Sequence, residues 1–218
     1  MAKSIRIGNP YNSYQEDFSV SEDPLSRGGR FLNNTNTLLT RFRAASGRAI
    51  AKATGQAGDY DDSAALMDGF GPDVEITATV YRDVSLNTSA THECEFLFRA
   101  SQTSNRSLQY EALFAWQGSI QAVRWYDSGG QQFEFLTAVS GPQSLGRGFV
   151  TGDRIRARMQ GSILTMSCID ASNVVTVLGV FNNSVLASGM CGLGGFVRVG
   201  DGGNPAHFCF EDVLITEV

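Results

Sequence analysis

The second half of the chain alternates apolar and polar residues with a period of two. In residues 154–159 arginine alternates with Ile, Ala and Met, and residues 163–168 resume the alternation after a turn at Gly161-Ser162. Successive side chains of a β-strand point to opposite faces, so each run predicts a strand with one buried and one solvated face. Together, the two runs and their turn predict an antiparallel pair.

The same period predicts strands over most of the remaining chain. Between residues 37 and 53 the pattern also suits a helix, but Gly47 interrupts it, and we expect two strands, around 37–44 and 47–53. Residues 55–72 are rich in glycine and predict a long loop. The apolar parity slips near Glu211-Asp212, which predicts a bulge or bend. Further strands are predicted around residues 74–80, 93–99, 108–116, 120–125, 133–135, 174–181, 190–199 and 207–217.

Many short strands with frequent turns are typical of an all-β sandwich or barrel, here one domain over residues 17–218. Residues 1–16 are polar and have no core-facing period, which predicts an extended arm. Tyr11 and Tyr14 would anchor this arm on a neighbouring subunit, because aromatic side chains supply much contact energy. No apolar run has the length of a signal peptide or a membrane span, so we expect synthesis in a cytoplasm and no membrane partner.

Four segments carry a resemblance to a known family, and the first, Asp17-Phe18-Ser19 followed by Pro24-Leu25, resembles the opening of its domains. The run from Gly152-Asp153 through Gly161 to Asp170 resembles the paired strands of concanavalin A-like (laminin G-like) jelly rolls. The Gly-Leu-rich run Cys191–Gly195 resembles their penultimate strand, and residues 208–215 resemble their closing strand. The resemblance implies a two-sheet antiparallel jelly-roll sandwich, with the arm at its N-terminus.

Domains of this type that are made inside the cell and stand alone also resemble virion proteins of tailed bacteriophages. This second resemblance implies a non-enzymatic virion structural protein, either a head decoration or a tail or fibre component. It would be located in the virion, present in many copies or as a homo-oligomer, and bound to other virion proteins. The alternative is a carbohydrate-binding (lectin-like) module for host or surface glycans, and a glycoside hydrolase or lyase is the third hypothesis.

The charged residues limit the classes of partner that the chain is expected to bind. The formal net charge is −5 with both signs mixed along the chain, which argues against nucleic acid, since phosphate binding needs a basic surface. Arg154, Arg156 and Arg158 form one polar stripe on the predicted strand. The stripe is expected to pair with glutamates on a neighbouring strand, or to bind an acidic glycan or the carboxylates of another subunit.

The aromatic and acidic residues give two further hypotheses. Trp116 shares its parity with Phe114 and is expected in the core, whereas Trp125 has the opposite parity and is, with Tyr126, the better candidate for a ligand or protein contact. Glu93 and Glu95 share one strand face about 6.5–7 Å apart, a spacing compatible with glycosidase carboxylates. Glycosidases of the resembled fold carry a third carboxylate on this strand, which the chain lacks, so we expect no enzyme activity.

The remaining candidates concern metals and cysteines. Asp59, Asp61 and Asp62 offer oxygen ligands suited to calcium, but the ordered calcium-loop spacing is absent, and we expect no metal and no cofactor. The four cysteines show no CxxC-type spacing and are expected to be reduced, buried and apolar in role. Whether Cys191 and Cys209 pair is left open by the sequence.

Overall fold

The structure is a computed structural model that describes residues 12–33, 40–52, 63–103, 106–126 and 133–218. These residues form short strands and two 3₁₀ turns, Val199–Asp201 and Pro205–His207. The strands are β1 (Ser13–Glu16), β2 (Phe31–Asn33), β3 (Thr40–Ala45), β4 (Arg48–Ala51), β5 (Ser63–Met67), β6 (Val74–Arg82), β7 (His92–Thr103), β8 (Arg106–Ala115), β9 (Ile120–Trp125), β10 (Phe133–Phe135), β11 (Ala138–Ser140), β12 (Arg154–Gln160), β13 (Ile163–Ile169), β14 (Val175–Asn182), β15 (Met190–Val197), β16 (Phe208–Phe210) and β17 (Val213–Glu217).

The strands form two antiparallel sheets that pack as a sandwich, so the predicted jelly-roll class is confirmed. The first sheet has the order β1–β17–β6–β12–β13–β14–β11. The second sheet has the order β2–β5–β15–β7–β8–β9–β10. The predicted pair β12 and β13 is adjacent, with Arg154 opposite Ile169 and Gln160 opposite Ile163.

A smaller group of strands joins the two sheets at one end. The last residues of β6 pair with β16, which pairs with β4, and β4 forms a hairpin with β3. The first residues of β3 then run parallel to the start of β5. The two strands expected between residues 37 and 53 are therefore confirmed, but the predicted loop over 55–72 is wrong at Ser63–Met67, which forms a wholly buried strand of the second sheet.

The core lies between the inner faces of the two sheets. Phe96 and Phe114 of the second sheet meet edge to face with their ring centroids 5.7 Å apart. The first sheet contributes the apolar positions of β6, β12 and β13 that the alternation predicts. Fully buried inner residues of these three strands include Ile76, Ala78, Val80, Ile155, Ala157, Met159, Leu164, Met166 and Cys168.

Two aspartates explain the turn signals of the sequence. The buried Asp153 carboxylate accepts hydrogen bonds from Arg147 Nη2 at 2.9 Å and Val150 N at 3.0 Å, which fixes the turn into β12. Asp212 accepts from Thr79 N at 2.8 Å, so a side chain replaces the backbone partner between β16 and β17. The predicted irregularity near Glu211-Asp212 is this break between strands.

Residues 13–16 of the predicted arm form β1, the edge strand beside β17. The Tyr14 ring meets Phe31 edge to face at 5.7 Å, and Arg30 lies over it at 5.4 Å. Tyr14 is thus held by its own domain in the structure. Tyr11 lies outside the described residues, and docking of the arm on another subunit stays a prediction.

The structure also bears on the cysteines, the candidate metal ligands and the search for membrane spans. All four cysteines are buried and free, so Cys191 and Cys209 are not bonded to each other. Asp59, Asp61 and Asp62 lie outside the described residues, and within the described ranges no group of three or more His, Cys, Asp or Glu is placed to hold a metal ion. No helix in the described part of the chain is long and apolar enough to cross a membrane.

Candidate functional site

The outer face of the second sheet, which we call the cavity face, carries buried polar groups among apolar ones. Its positions follow from the pairing register: Glu95 lies opposite Leu113, Leu97 opposite Glu111, and Gln109 opposite Trp125. Trp125 is only 3% exposed and Glu111 3% exposed. Buried carboxylates on an outer sheet face need partners or a shifted pKa, because an isolated charge is costly away from water.

A cavity of about 200 Å³ opens on this face. Four aromatic residues form much of its wall, and the rings of Trp125 and Phe133 lie 5.2 Å apart between centroids. Phe133 in turn meets Phe135 edge to face at 5.3 Å, and Phe135 is 60% exposed at the rim. The cavity is lined by the aromatic residues Trp125, Phe133, Phe135 and Phe196, the charged residues Glu93, Glu111 and Arg198, and the residues Thr91, Leu113, Gln121 and Val123.

Glu93 and Glu111 form an electrostatically coupled carboxyl pair in this cavity. Burial, followed by the negative charge of Glu111, raises the pKa of Glu93 to about 7, and Arg198 acts in the opposite direction. Burial likewise raises the pKa of Glu111 to about 7, opposed by Trp125 and Gln109. The pair therefore retains protons near neutral pH, when exposed glutamates are ionised.

The Trp125 indole supplies a donor next to this pair. Its Nε1 is buried and, in the described part of the chain, has no partner with standard hydrogen-bond geometry. It lies near enough to Glu111 to lower the pKa of that carboxyl. A buried donor without a well-formed bond is unusual, and this one faces a cavity that already contains acceptors.

Glycines of β15 make room for the acidic residues of β7. A Cβ built on Gly194 would lie 2.6 Å from Glu95 Oε2 and 3.0 Å from Leu97 Cδ2, so the buried Glu95 carboxylate lies over bare backbone. Glu93 and Glu95 share one face as predicted, but only Glu93 lines the cavity. The two acidic side chains that line the cavity are therefore Glu93 and Glu111, on neighbouring strands.

The predicted arginine stripe lies on the opposite side of the molecule, on the outer face of the first sheet. Arg154, Arg156 and Arg158 alternate with the buried residues of β12. Arg154 donates to Asn173 Oδ1 at 2.6 Å, and Arg158 donates to Gln160 Oε1 at 3.0 Å. We call this surface the arginine face.

The other candidates are not brought together. Trp125 faces outward from the core as predicted and lines the cavity, where Phe133 packs against it and buries it. Tyr126 follows the end of β9, is 45% exposed and lies under the Arg124 guanidinium at 5.5 Å. Sequence reasoning missed Glu111, Phe133, Phe135, Phe196 and Arg198, because only the register between strands places them beside Trp125 and Glu93.

No protein-family model and no curated protein matches the chain. Solved structures of similar fold include the carbohydrate-binding module CBM66 from Bacillus subtilis, with TM-score 0.53 and 10% identity over 86% of this chain and 92% of that one. The CBM2 module of the evolved Dit of Lactobacillus casei BL23 phage J-1 gives TM-score 0.50 and 13% identity over 95% and 96%. SCLam, a non-specific endo-β-1,3(4)-glucanase of family GH16, gives TM-score 0.52 and 10% identity over 99% and 94%.

At these identities the likeness establishes the fold alone. The chain has the concanavalin A-like jelly roll that the sequence predicts, and it spans nearly the whole length of these three proteins. Their biochemical roles differ, so function has to be argued from the residues of the cavity and the two outer faces.

Proposed function

We propose that the chain is a carbohydrate-binding module and that the cavity face holds the sugar. The observation that carries this proposal is the convergence of four aromatic side chains, two carboxyl groups and two donors in one cavity of about 200 Å³. Sugar rings offer apolar C–H faces and a rim of hydroxyl groups, and sites of this mixed kind match both. Similarity of fold to carbohydrate-binding modules adds weight to the proposal.

Each group has a definite task in this proposal. Phe135, exposed at the rim, and Phe133, which packs over the buried Trp125 ring, present apolar rings against the C–H face of the sugar. Glu93 and Glu111 accept hydrogen bonds from sugar hydroxyls. Arg198 donates to sugar oxygens, and the buried indole of Trp125 lies beside Glu111 and lowers the pKa of that carboxyl group.

The electrostatics of the cavity favour binding without hydrolysis. Glycoside hydrolysis requires one protonated and one ionised carboxyl group, and active sites achieve this by pushing the two pKa values apart. Burial raises the pKa of both Glu93 and Glu111 in the same direction. Phe98, at the end of the acidic run of β7, is a buried core residue, and Glu95 does not line the cavity.

A glycan array followed by calorimetry on the best glycan tests this proposal. Phe135→Ala, Trp125→Phe and Glu111→Gln should each weaken binding by about tenfold or more, equivalent to roughly 1.4 kcal/mol. Val84→Ala removes a fully exposed apolar side chain away from the cavity and should leave binding unchanged. No binding to any glycan, or binding that all three cavity variants retain, would contradict the proposal.

Hydrolysis is tested separately by a reducing-sugar assay on the glycans that bind. We expect no turnover by the full chain. Turnover that disappears in Glu111→Gln or Glu93→Gln would show that the cavity is catalytic and would replace the binding proposal with a glycosidase.

A second proposal concerns where this binding takes place. We propose that the chain is a structural component of the virion of a tailed bacteriophage, supported by the likeness to a module of a phage Dit protein over nearly the full length of both chains. In this setting the cavity face would contact host or surface glycans. Mass spectrometry of purified particles tests the proposal, and absence of the chain from particles whose genome encodes it would refute it.

A further inference from the structure

The arginine face carries three cations that form no ion pair with any carboxylate in the described part of the chain. Six other cations form ion pairs, for example Arg147 with Asp153 at 2.6 Å. No described carboxylate lies within ion-pair distance of Arg154, Arg156 or Arg158. Glu75 of β6 lies opposite Arg158 of β12, but the two side chains form no ion pair. The register therefore places one glutamate opposite the stripe, at Arg158, whereas Arg154 and Arg156 face Thr79 and Thr77 of β6.

Arg156, the central arginine of the stripe, has the fewest hydrogen-bond partners of the three. Arg156 makes no side-chain hydrogen bond in the described part of the chain, whereas Arg154 and Arg158 each donate one to a neutral amide oxygen. Its neighbours on both sides, Thr77 and Ser167, carry hydroxyl groups. Three guanidinium groups consequently stand in a row about 6.5–7 Å apart with most of their donors unused.

A buried, unsatisfied hydroxyl lies in the floor of the same surface. Ser167 is 1% exposed, and its Oγ has no hydrogen-bond partner among the described residues. Ser167 lines a groove of about 430 Å³ together with Glu75, Arg156, Arg158 and Thr165. A polar atom buried without a partner costs free energy unless a ligand or water completes it.

Exposed aliphatic side chains border the groove. Ile163 of β13 is 37% exposed, Val175 and Val177 of β14 are 47% and 45% exposed, and Leu214 of β17 is 43% exposed on the far side of β6. No aromatic residue lines the groove. Aliphatic residues around charged groups exclude water from them when a partner covers the surface, which strengthens the ion pairs.

We propose that the arginine face is a docking site for another protein, whose facing β-strand carries carboxylates at alternate positions. Alternate residues of a strand are about 6.5–7 Å apart, the spacing of the three arginines, so Glu or Asp at i, i+2 and i+4 can each meet one guanidinium. Arginine bonds carboxylates with two parallel N–H groups, and arginine is enriched at protein interfaces. The proposal is independent of the cavity face and of any glycan bound there.

The observations favour a protein over an acidic glycan. Sugar sites use aromatic faces, and the cavity face holds them while the arginine face has none. The aliphatic border instead matches the apolar side chains of a packed protein interface. The formal net charge of −5 makes the stripe a local exception on an acidic protein, so its field favours a partner of opposite sign.

A pair of designed peptides tests the proposal on the full-length protein. One is a cyclic β-hairpin with three glutamates at alternate positions of one strand, and its twin has three glutamines there. We expect the glutamate hairpin to bind about tenfold more tightly or better, with affinity that falls as salt rises. Arg156→Gln with Arg158→Gln should weaken this binding by about tenfold, whereas Arg43→Gln, an exposed arginine on β3, should not change it.

Four results would overturn the proposal. The glutamine hairpin could bind as tightly as its twin, or the double variant could keep full affinity while remaining folded by circular dichroism. Polygalacturonate could bind through the same arginines more tightly than the hairpin, which would assign the face to an acidic glycan. Sedimentation could show self-association that the double variant abolishes, which would assign the face to a second copy of the chain.

Discussion

The two outer faces of the sandwich differ in how far their charged side chains are exposed to solvent. On the cavity face Glu93, Glu95 and Glu111 lie among apolar and aromatic neighbours, and the pKa of Glu93 and Glu111 is raised. On the arginine face Arg156 and Arg158 remain accessible and unpaired with any described carboxylate. The first face therefore buries its carboxyl groups inside the domain, whereas the second leaves its guanidinium groups accessible to solvent.

This difference separates what each face contributes to folding from what it contributes to binding. Changes on the cavity face should alter stability and glycan binding together, because its functional groups are also buried groups. Changes to the three arginines of the arginine face should alter binding with little effect on stability, since solvated charges contribute little to the free energy of unfolding.

The largest expected effect comes from the glycines that shape the cavity face. A Cβ at Gly192 would lie 2.1 Å from the carbonyl oxygen of Ala65 and 2.9 Å from Leu66 Cα, both backbone atoms of β5. Gly192→Ala should therefore destabilise the protein by about 3 kcal/mol, as overpacking against backbone does. Urea denaturation measures this loss. Gly146→Ala, at a turn with open space around the Cβ but φ +75°, should cost only about 1 kcal/mol.

β5 and β12 show how much of the fold the sequence predicts. In β12 one face is buried and the other solvated, so alternation identifies the strand and even its register partner. In β5 all five residues, Ser63–Met67, are buried on both faces, so no alternation exists and the sequence suggested a loop. Periodicity detects strands with two different faces and fails for strands whose faces are alike.

The next effect is the dependence of stability on pH. Between about pH 4.5, the ordinary pKa of glutamate, and pH 7 the folded state holds protons on Glu93 and Glu111 that the unfolded chain releases. Stability from this pair is therefore complete at low pH and falls as pH rises through 7. We expect a loss of about 2 kcal/mol from pH 5 to pH 8, since each unit of raised pKa corresponds to roughly 1.4 kcal/mol and Glu93 is partly exposed.

Urea denaturation of wild type and Glu111→Gln across this pH range separates the contribution of Glu93 and Glu111 from that of other titrating groups. Burial lowers the pKa of His92, so this histidine acts with the opposite sign below pH 6.5, but it is present in both proteins and cancels in the comparison. Glu111→Gln should flatten the decline, while Gln121→Ala, an uncharged change in the same cavity, should keep it. An equal slope in wild type and Glu111→Gln would show that the pair is not coupled to folding.

The candidate site was less predictable than the fold for a related physical reason. Parity along β7 and β9 placed Glu93 and Trp125 on outer faces, as observed. Glu111, Phe135 and Phe196 reach them only through the register of four adjacent strands, β15, β7, β8 and β9, with β10 at the edge. Register is a non-local property, and one slip by a single residue would move each side chain to the opposite face.

A smaller effect of opposite sign is expected at Ser167 on the arginine face. Its hydroxyl is buried without a partner, so Ser167→Ala removes an unsatisfied group and should raise the free energy of unfolding by about 1 kcal/mol. Thr79→Val, which removes a hydroxyl that donates to Asp212 Oδ2 at 3.0 Å, should lower it instead. Thermal denaturation of both variants checks the two signs, and a destabilised Ser167→Ala would mean that the hydroxyl is satisfied in solution.

The smallest effect is expected when the arginine stripe itself is removed. Arg154, Arg156 and Arg158 donate at most one side-chain hydrogen bond each in the described structure and form no ion pair there, so replacing all three by glutamine should change the free energy of unfolding by about 0.5 kcal/mol or less at physiological salt. Arg99 serves as the control, because its side chain is buried whereas those of the stripe are accessible. This buried arginine donates to Leu186 O at 2.7 Å, Gly161 O at 2.6 Å and Asp73 Oδ1 at 3.1 Å, and Arg99→Gln should cost about 3 kcal/mol or more. Urea denaturation of the triple variant beside Arg99→Gln makes the contrast measurable. If the triple variant loses as much stability as Arg99→Gln, the arginine stripe stabilises the fold, and its charges are not free to bind a partner.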